Sequence, residues 1–136
     1  MKLHLILLKT LGALFFLFIF LLPISAMDDP GFVISRMLMC KTVSDNEPVH
    51  PSETFSIDVG TVYCFLEATE IEKDTTISFV WHYENMEMAR ITLPLQKGKR
   101  WRTYSSKKLD GLQGNWTVEL VEASGIVLNT ISFQVQ

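Results

Sequence analysis

Cysteine is scarce in this chain: Cys40 and Cys64 are the only two among 136 residues. That excludes a scaffold held by several bridges and a four-cysteine zinc site. Histidine is nearly as scarce. His4 lies in the leading apolar segment, which leaves only His50 and His82 beyond it. No carboxylate pair, H-E-x-x-H, G-x-S-x-G or glycine-rich phosphate loop occurs. After Ala26 there is no helical stripe of useful length, no internal repeat and no low-complexity linker. The net charge of -3 is too small for a nucleic-acid binder or a disordered acidic tail. The length excludes a multi-domain enzyme, a porin and most cofactor folds.

What the chain has in excess is apolar residues, 48% against 20% charged, and they are concentrated at the front. Lys2 and Lys9 precede the unbroken Leu- and Phe-rich run Leu11–Leu22, Pro23 breaks it, and Ile24-Ser25-Ala26 follows. This pattern predicts a secretory signal peptide over residues 1–26, cleaved after Ala26, and a periplasmic or secreted protein. The alternative is an uncleaved anchor in the inner membrane, since Thr10–Met27 is a charge-free stretch of 18 residues, near the lower limit for a span. Cys40 is too far downstream, and follows too bulky a residue in Met39, to be a lipidation site. The remaining 110 residues carry ten basic and fifteen acidic groups, a net charge of -5. A chain of that size buries about two-thirds of its unfolded surface and folds without staples.

Beyond Ala26 the sequence alternates with period two between turn signals, at the spacing of a sandwich. Strands are predicted at Val33–Val43, Thr61–Ala68, Ile77–Tyr83, Glu87–Leu95, Lys99–Ser106, Asn115–Glu122 and Ile126–Val135. Ile77, Phe79, Trp81 and Tyr83 share one face, as do Ala89, Ile91, Leu93 and Leu95, then Trp116, Val118 and Leu120, then Ile131, Phe133 and Val135. Glu84-Asn85 reads as a tight hairpin turn, and Pro94 places its strand at an edge. The stretch holding Asp45, Asn46, Pro48 and Pro51 reads as a polar loop. The expectation is an all-β, antiparallel, Ig-like sandwich of about seven strands, forming one domain over residues 27–136.

Three sets of residues invite a chemical reading. Cys40 and Cys64 fall on the first two strands of an exported chain, where an oxidising compartment favours a disulfide. A bridge there stabilises by roughly 3 kcal/mol in the chain-entropy model; free, buried thiols are the alternative. Met37 with Met39, and Met86 with Met88, place paired thioethers on strand faces, with His82 or His50 near, a donor set that suits copper. Core filling by Met is the plainer explanation. Ser105-Ser106-Lys107-Lys108 matches S-x-x-K, yet that nucleophile motif needs a helix start and a much larger fold.

Charge segregation is the sharpest local signal. Lys97–Lys108 holds six basic residues and no acid, while the rest of the exported part holds four basic and fifteen acidic residues. Such a field attracts anions, and Arg forks suit phosphate, sulfate or carboxylate. Pairing of the basic strand with the protein's own acidic groups is the alternative. The resulting expectation is a non-catalytic envelope module that needs no cofactor and engages an anionic polymer or an acidic partner. The candidate ligand-binding residues are Arg100, Arg102, Tyr104, Ser106, Lys107 and Lys108. A periplasmic copper-binding protein and an uncharacterised enzyme are the competing readings.

Taken in order, Cys40–Val43, Pro48-Val49, Val62-Tyr63-Cys64-Phe65, Val80-Trp81, Met88-Ala89, Trp101-Arg102-Thr103-Tyr104-Ser105-Ser106-Lys107 and Gly114-Asn115-Trp116-Thr117-Val118 resemble a bacterial family catalogued as a domain of unknown function, DUF2914. Gly125–Phe133 supplies its closing hairpin. The resemblance implies a small exported or envelope-attached β-domain and brings no activity with it. Relatives often carry His two residues before the third-strand Trp, where this chain has Phe79. Trp81, Trp116 and Trp101 are predicted to face inward. Arg102 and Ser105 are expected to serve structure, and Arg100, Lys107 and Lys108 to lie at the surface.

Overall fold

The computed structural model describes residues 29–136, so the predicted leader and its cleavage lie outside the described residues. Nine strands are formed among the described residues: β1 (Val33–Ser44), β2 (Glu47–Pro51), β3 (Thr54–Phe55), β4 (Thr61–Ile71), β5 (Thr75–Tyr83), β6 (Met86–Leu95), β7 (Gly98–Lys108), β8 (Gly114–Glu122) and β9 (Val127–Val135). They make two sheets, ordered β2-β1-β4-β7 and β3-β9-β8-β5-β6. Neighbours pair antiparallel except β3, which runs parallel to β9 through Thr54↔Gln134 and Phe55↔Val135.

Period-two alternation decides what is buried. Val62, Cys64, Leu66 and Ala68 of the first sheet meet Ile77, Phe79, Trp81, Trp116, Val118, Leu120 and Phe133 of the second in one apolar cluster. Trp116 stacks on Phe133 with ring centres 6.0 Å apart, and Trp81 meets Phe133 edge-on at 6.1 Å. The buried Trp81 indole donates to Ser105 Oγ across the sheets at 3.0 Å. The tight turn that links β5 to β6 runs through Glu84 and Asn85, at φ 46° and 66°, and Asn85 is the one of the two that readily adopts positive φ. All seven predicted strands are present, and Pro94 does lie on an edge strand.

The predicted polar loop is instead β2 and β3. Pro48 and Pro51 read as strand breakers, but β2 is an edge strand, where a missing N–H is tolerated. β3 is two residues long, too short to leave a periodic signal. Asp45 and Asn46, at φ 52° and 59°, close the β1–β2 hairpin.

That hairpin does not run straight out of the sheet. Ser44 is eight residues beyond Arg36, about 27 Å along an extended strand. Yet Glu47, paired with Ser44, reaches Arg36 at 3.0 Å. Beyond Cys40, where pairing with β4 ends, the hairpin therefore turns back over the outward face of the first sheet. Its cover explains why Phe65, outward by alternation, has no exposed surface.

The cysteines are both buried and both free, so the expected bridge is not formed. Their register gives the reason: Met39 lies opposite Cys64 and Tyr63 opposite Cys40. The two thiols thus point to opposite faces, Cys64 into the core and Cys40 under the folded-back hairpin. Burial raises the pKa of each, which keeps both unreactive. An Ellman titration without reductant is expected to count no thiol in the native protein and two after denaturation. A count of zero after denaturation contradicts this register.

Candidate functional site

Among the described residues β7 is one of the two edge strands of the first sheet, opposite β2, and it carries most of the basic run. Its pairing with β4 places Arg100 opposite Thr69, Arg102 opposite Glu67, Tyr104 opposite Phe65, Ser106 opposite Tyr63 and Lys108 opposite Thr61. These five point outward. Lys99, Trp101, Thr103, Ser105 and Lys107 point toward the second sheet.

Arg102 is paired with two carboxylates of the protein itself. Its Nε donates to Glu67 Oε2 at 2.8 Å, and its Nη1 lies 3.3 Å from Glu47 Oε1. Arg36 closes the circuit, donating to Glu47 at 3.0 and 3.1 Å and to Glu67 Oε2 at 3.0 Å. Ser35 adds a bond to Glu67 Oε1 at 3.1 Å, and the Arg36 guanidinium lies 5.0 Å over the Phe65 ring. Two arginines and two carboxylates from four different strands thus form a neutral network that pins the hairpin to the sheet. Hydrogen bonds from Arg36 and then Arg102 outweigh burial and push Glu67 down to about 2. The Arg36 bond also lowers Glu47, and the two carboxylates raise Arg36 above its ordinary value.

Other members of the run are committed too. Ser105 is buried as the acceptor for Trp81. Lys107 was expected at the surface, but alternation turns it inward. Its Nζ lies 5.8 Å over the Trp116 ring and 3.5 Å from Asp110 Oδ2, and only 14% of the side chain is exposed. Lys108 points the opposite way from Ser105, so a strand separates the two groups that S-x-x-K chemistry requires on one helical turn. Trp101 packs against the core as predicted, with its indole N–H buried and without a partner among the described residues.

Lys97, Lys99, Arg100 and Lys108 make no ion pair among the described residues. Tyr104, 46% exposed, leans on Tyr63 with ring centres 5.6 Å apart. Arg100, Trp101 and Arg102 border an open depression with Asn46 at the hairpin tip. The uncommitted cations, Tyr104 and the free backbone edge make up the candidate site.

The thioether set is dispersed. Met37 and Met39 line the inner side of β1 in the first sheet, whereas Met86 and Met88 lie on β6 at the far edge of the second. His82 is on the outer face of that second sheet, its Nε2 2.7 Å from Glu119 Oε1 but out of hydrogen-bond alignment. Sequence reasoning missed Glu67, Glu47 and Arg36. The available signal was a lone carboxylate inside the apolar run Val62–Ala68, with a lone arginine inside β1.

Residues 74–135 match a family model described as "Protein of unknown function (DUF2914)". No curated protein matches the chain. Among solved structures, a beta-glucosidase from Listeria innocua in complex with glucose is 10% identical, with a TM-score of 0.48 over 76% of this chain and 15% of that one. Beta-D-glucoside glucohydrolase from Trichoderma reesei is 10% identical, with a TM-score of 0.49 over 77% and 19%. A beta-glucosidase from Kluyveromyces marxianus is 11% identical, with a TM-score of 0.46 over 77% and 14%. This chain therefore spans less than a fifth of the length of those proteins.

Because Glu67 is depressed to about 2, its contribution to stability is complete above the unfolded carboxylate value and is lost as pH falls toward 2. Glu67→Gln is expected to cost about 1–3 kcal/mol at pH 7 and to flatten the decline in unfolding free energy below the ordinary carboxylate range, near pH 4.3. Urea titrations of both proteins from pH 7 to 2 check this. Parallel acid limbs would contradict the assignment.

Proposed function

We propose that this chain, which over residues 74–135 belongs to the DUF2914 family, is a non-catalytic exported interaction module that binds an anionic partner along β7. The single observation that carries the reading is that Lys97, Lys99, Arg100 and Lys108 lie along or beside a free sheet edge without intramolecular counter-charges among the described residues. Cations that only balanced the protein's own acids would be engaged as Arg102 is. Exposed cations on one strand instead attract a partner of opposite sign and speed its encounter.

We read the sandwich as Ig-like. The order β1-β4-β7 facing β9-β8-β5-β6 follows the A-B-E against G-F-C-C′ arrangement of that architecture. Folds of this kind serve as carriers for binding surfaces on edges and end loops, which suits a small module in the periplasm or outside the cell. The apolar leader supports that location, with retention at the inner membrane as the alternative.

The proposal is tested by retention on a sulfonated matrix against a neutral one at low salt. The protein is expected to be held on the sulfonated matrix and released by moderate salt, as exposed charges are screened. Lys99→Glu combined with Arg100→Glu is expected to abolish retention with the melting temperature changed by no more than a few degrees. Equal elution of the parent protein from both matrices would overturn the reading.

A further inference from the structure

The four free edges of the two sheets are protected very unequally. β2 is five residues long and contains Pro48 and Pro51. β3 has two residues. β6 carries Pro94, and its pairing with β5 is broken by a register shift at Trp81/His82. Prolines, bulges and shortness are the usual devices that stop an edge from pairing with another chain. β7 has none of them. It is eleven residues long, lacks proline, and keeps unbroken register with β4 from Lys108↔Thr61 to Arg100↔Thr69. Among the described residues no other strand pairs with its far side, and no turn or loop backbone bonds to it there.

Charge is the one device β7 does use, and charge is selective. Lysine and arginine repel a second copy of the same strand, because like charges placed opposite one another across a ladder are destabilising. They do not repel an acidic strand. Since Arg102 and Lys107 are already engaged, the selecting groups are Lys99 on one side of the strand and Arg100 and Lys108 on the other. An added strand would therefore meet cations on both of its faces, with the exposed Tyr104 ring between Arg100 and Lys108 on the outward one.

We propose that the free edge of β7 receives an extended acidic segment of a protein partner as a fifth strand of the first sheet. Main-chain hydrogen bonds supply affinity, and the carboxylates on Lys99, Arg100 and Lys108 supply selectivity. This rests on the reading of β7 as the binding surface and states how it binds. A polymer without backbone amides would use the charges alone.

The experiment uses the chain purified after expression with its own N-terminal segment and three probes: a ten-residue peptide of alternating Glu and Val, the same peptide N-methylated at every second residue in either phase, and inorganic polyphosphate. Affinity is read by calorimetry, and amide exchange is followed along β7. The parent peptide is expected to bind, to protect outward-directed β7 amides from exchange, and to lose at least tenfold in affinity in one N-methylation phase. Lys99→Glu with Arg100→Glu is expected to weaken it at least as much. If both methylated peptides and polyphosphate bind as well as the parent, strand addition is overturned while the anion-binding reading stands. If none of the probes binds, both fall.

Discussion

A single carboxylate in the middle of a buried strand constrains much of the first sheet. Glu67 sits in β4 between Leu66 and Ala68, and its side chain is only 10% exposed. A carboxylate in that position is tolerable only if cations and donors replace the water it has lost. Arg36 and Arg102 from the flanking strands supply them, Ser35 completes the set, and Glu47 neutralises the second positive charge. Because Glu47 belongs to the β1–β2 hairpin, the requirement also fixes where that hairpin lies. It folds over the outward face and buries Phe65 and Cys40 beneath it. The outer surface of the first sheet is thus a second, smaller packing layer held by charge, distinct from the apolar layer between the sheets.

The same network divides the basic strand. Six cations in twelve residues look like one patch in the sequence. In the fold, Arg102 is bound to two carboxylates and Lys107 is tucked over Trp116, so neither offers a free charge. The cations left over occupy the ends of β7, with the committed Arg102 and the exposed Tyr104 between them.

The fold was largely legible from alternation. Inward residues such as Phe79, Trp81, Val118 and Phe133 follow strict period two, and each predicted strand contains its burial pattern. What stayed hidden depended on register and on contacts between distant strands. Local spacing shows that Cys40 and Cys64 lie on two strands, but only the offset Cys40↔Tyr63 shows that they face apart. Pro48 and Pro51 carry a loop signal that an edge position cancels. Arg102 and Ser105 were expected to serve structure, but alternation alone set Arg102 among the surface candidates, and the partners Glu67 and Trp81 stand 35 and 24 residues away. No pattern within one strand names such partners.

The claim that Glu67 and Arg102 are bound to each other, and that Arg100 pairs with no carboxylate among the described residues, is tested most directly by double-mutant cycles. Glu67→Ala and Arg102→Ala, measured singly and together by denaturant unfolding at pH 7, are expected to show a coupling of about 1–2 kcal/mol. The cycle of Glu67→Ala with Arg100→Ala is expected to be additive within about 0.5 kcal/mol. Strict additivity in the first cycle, or equal coupling in both, would contradict the account.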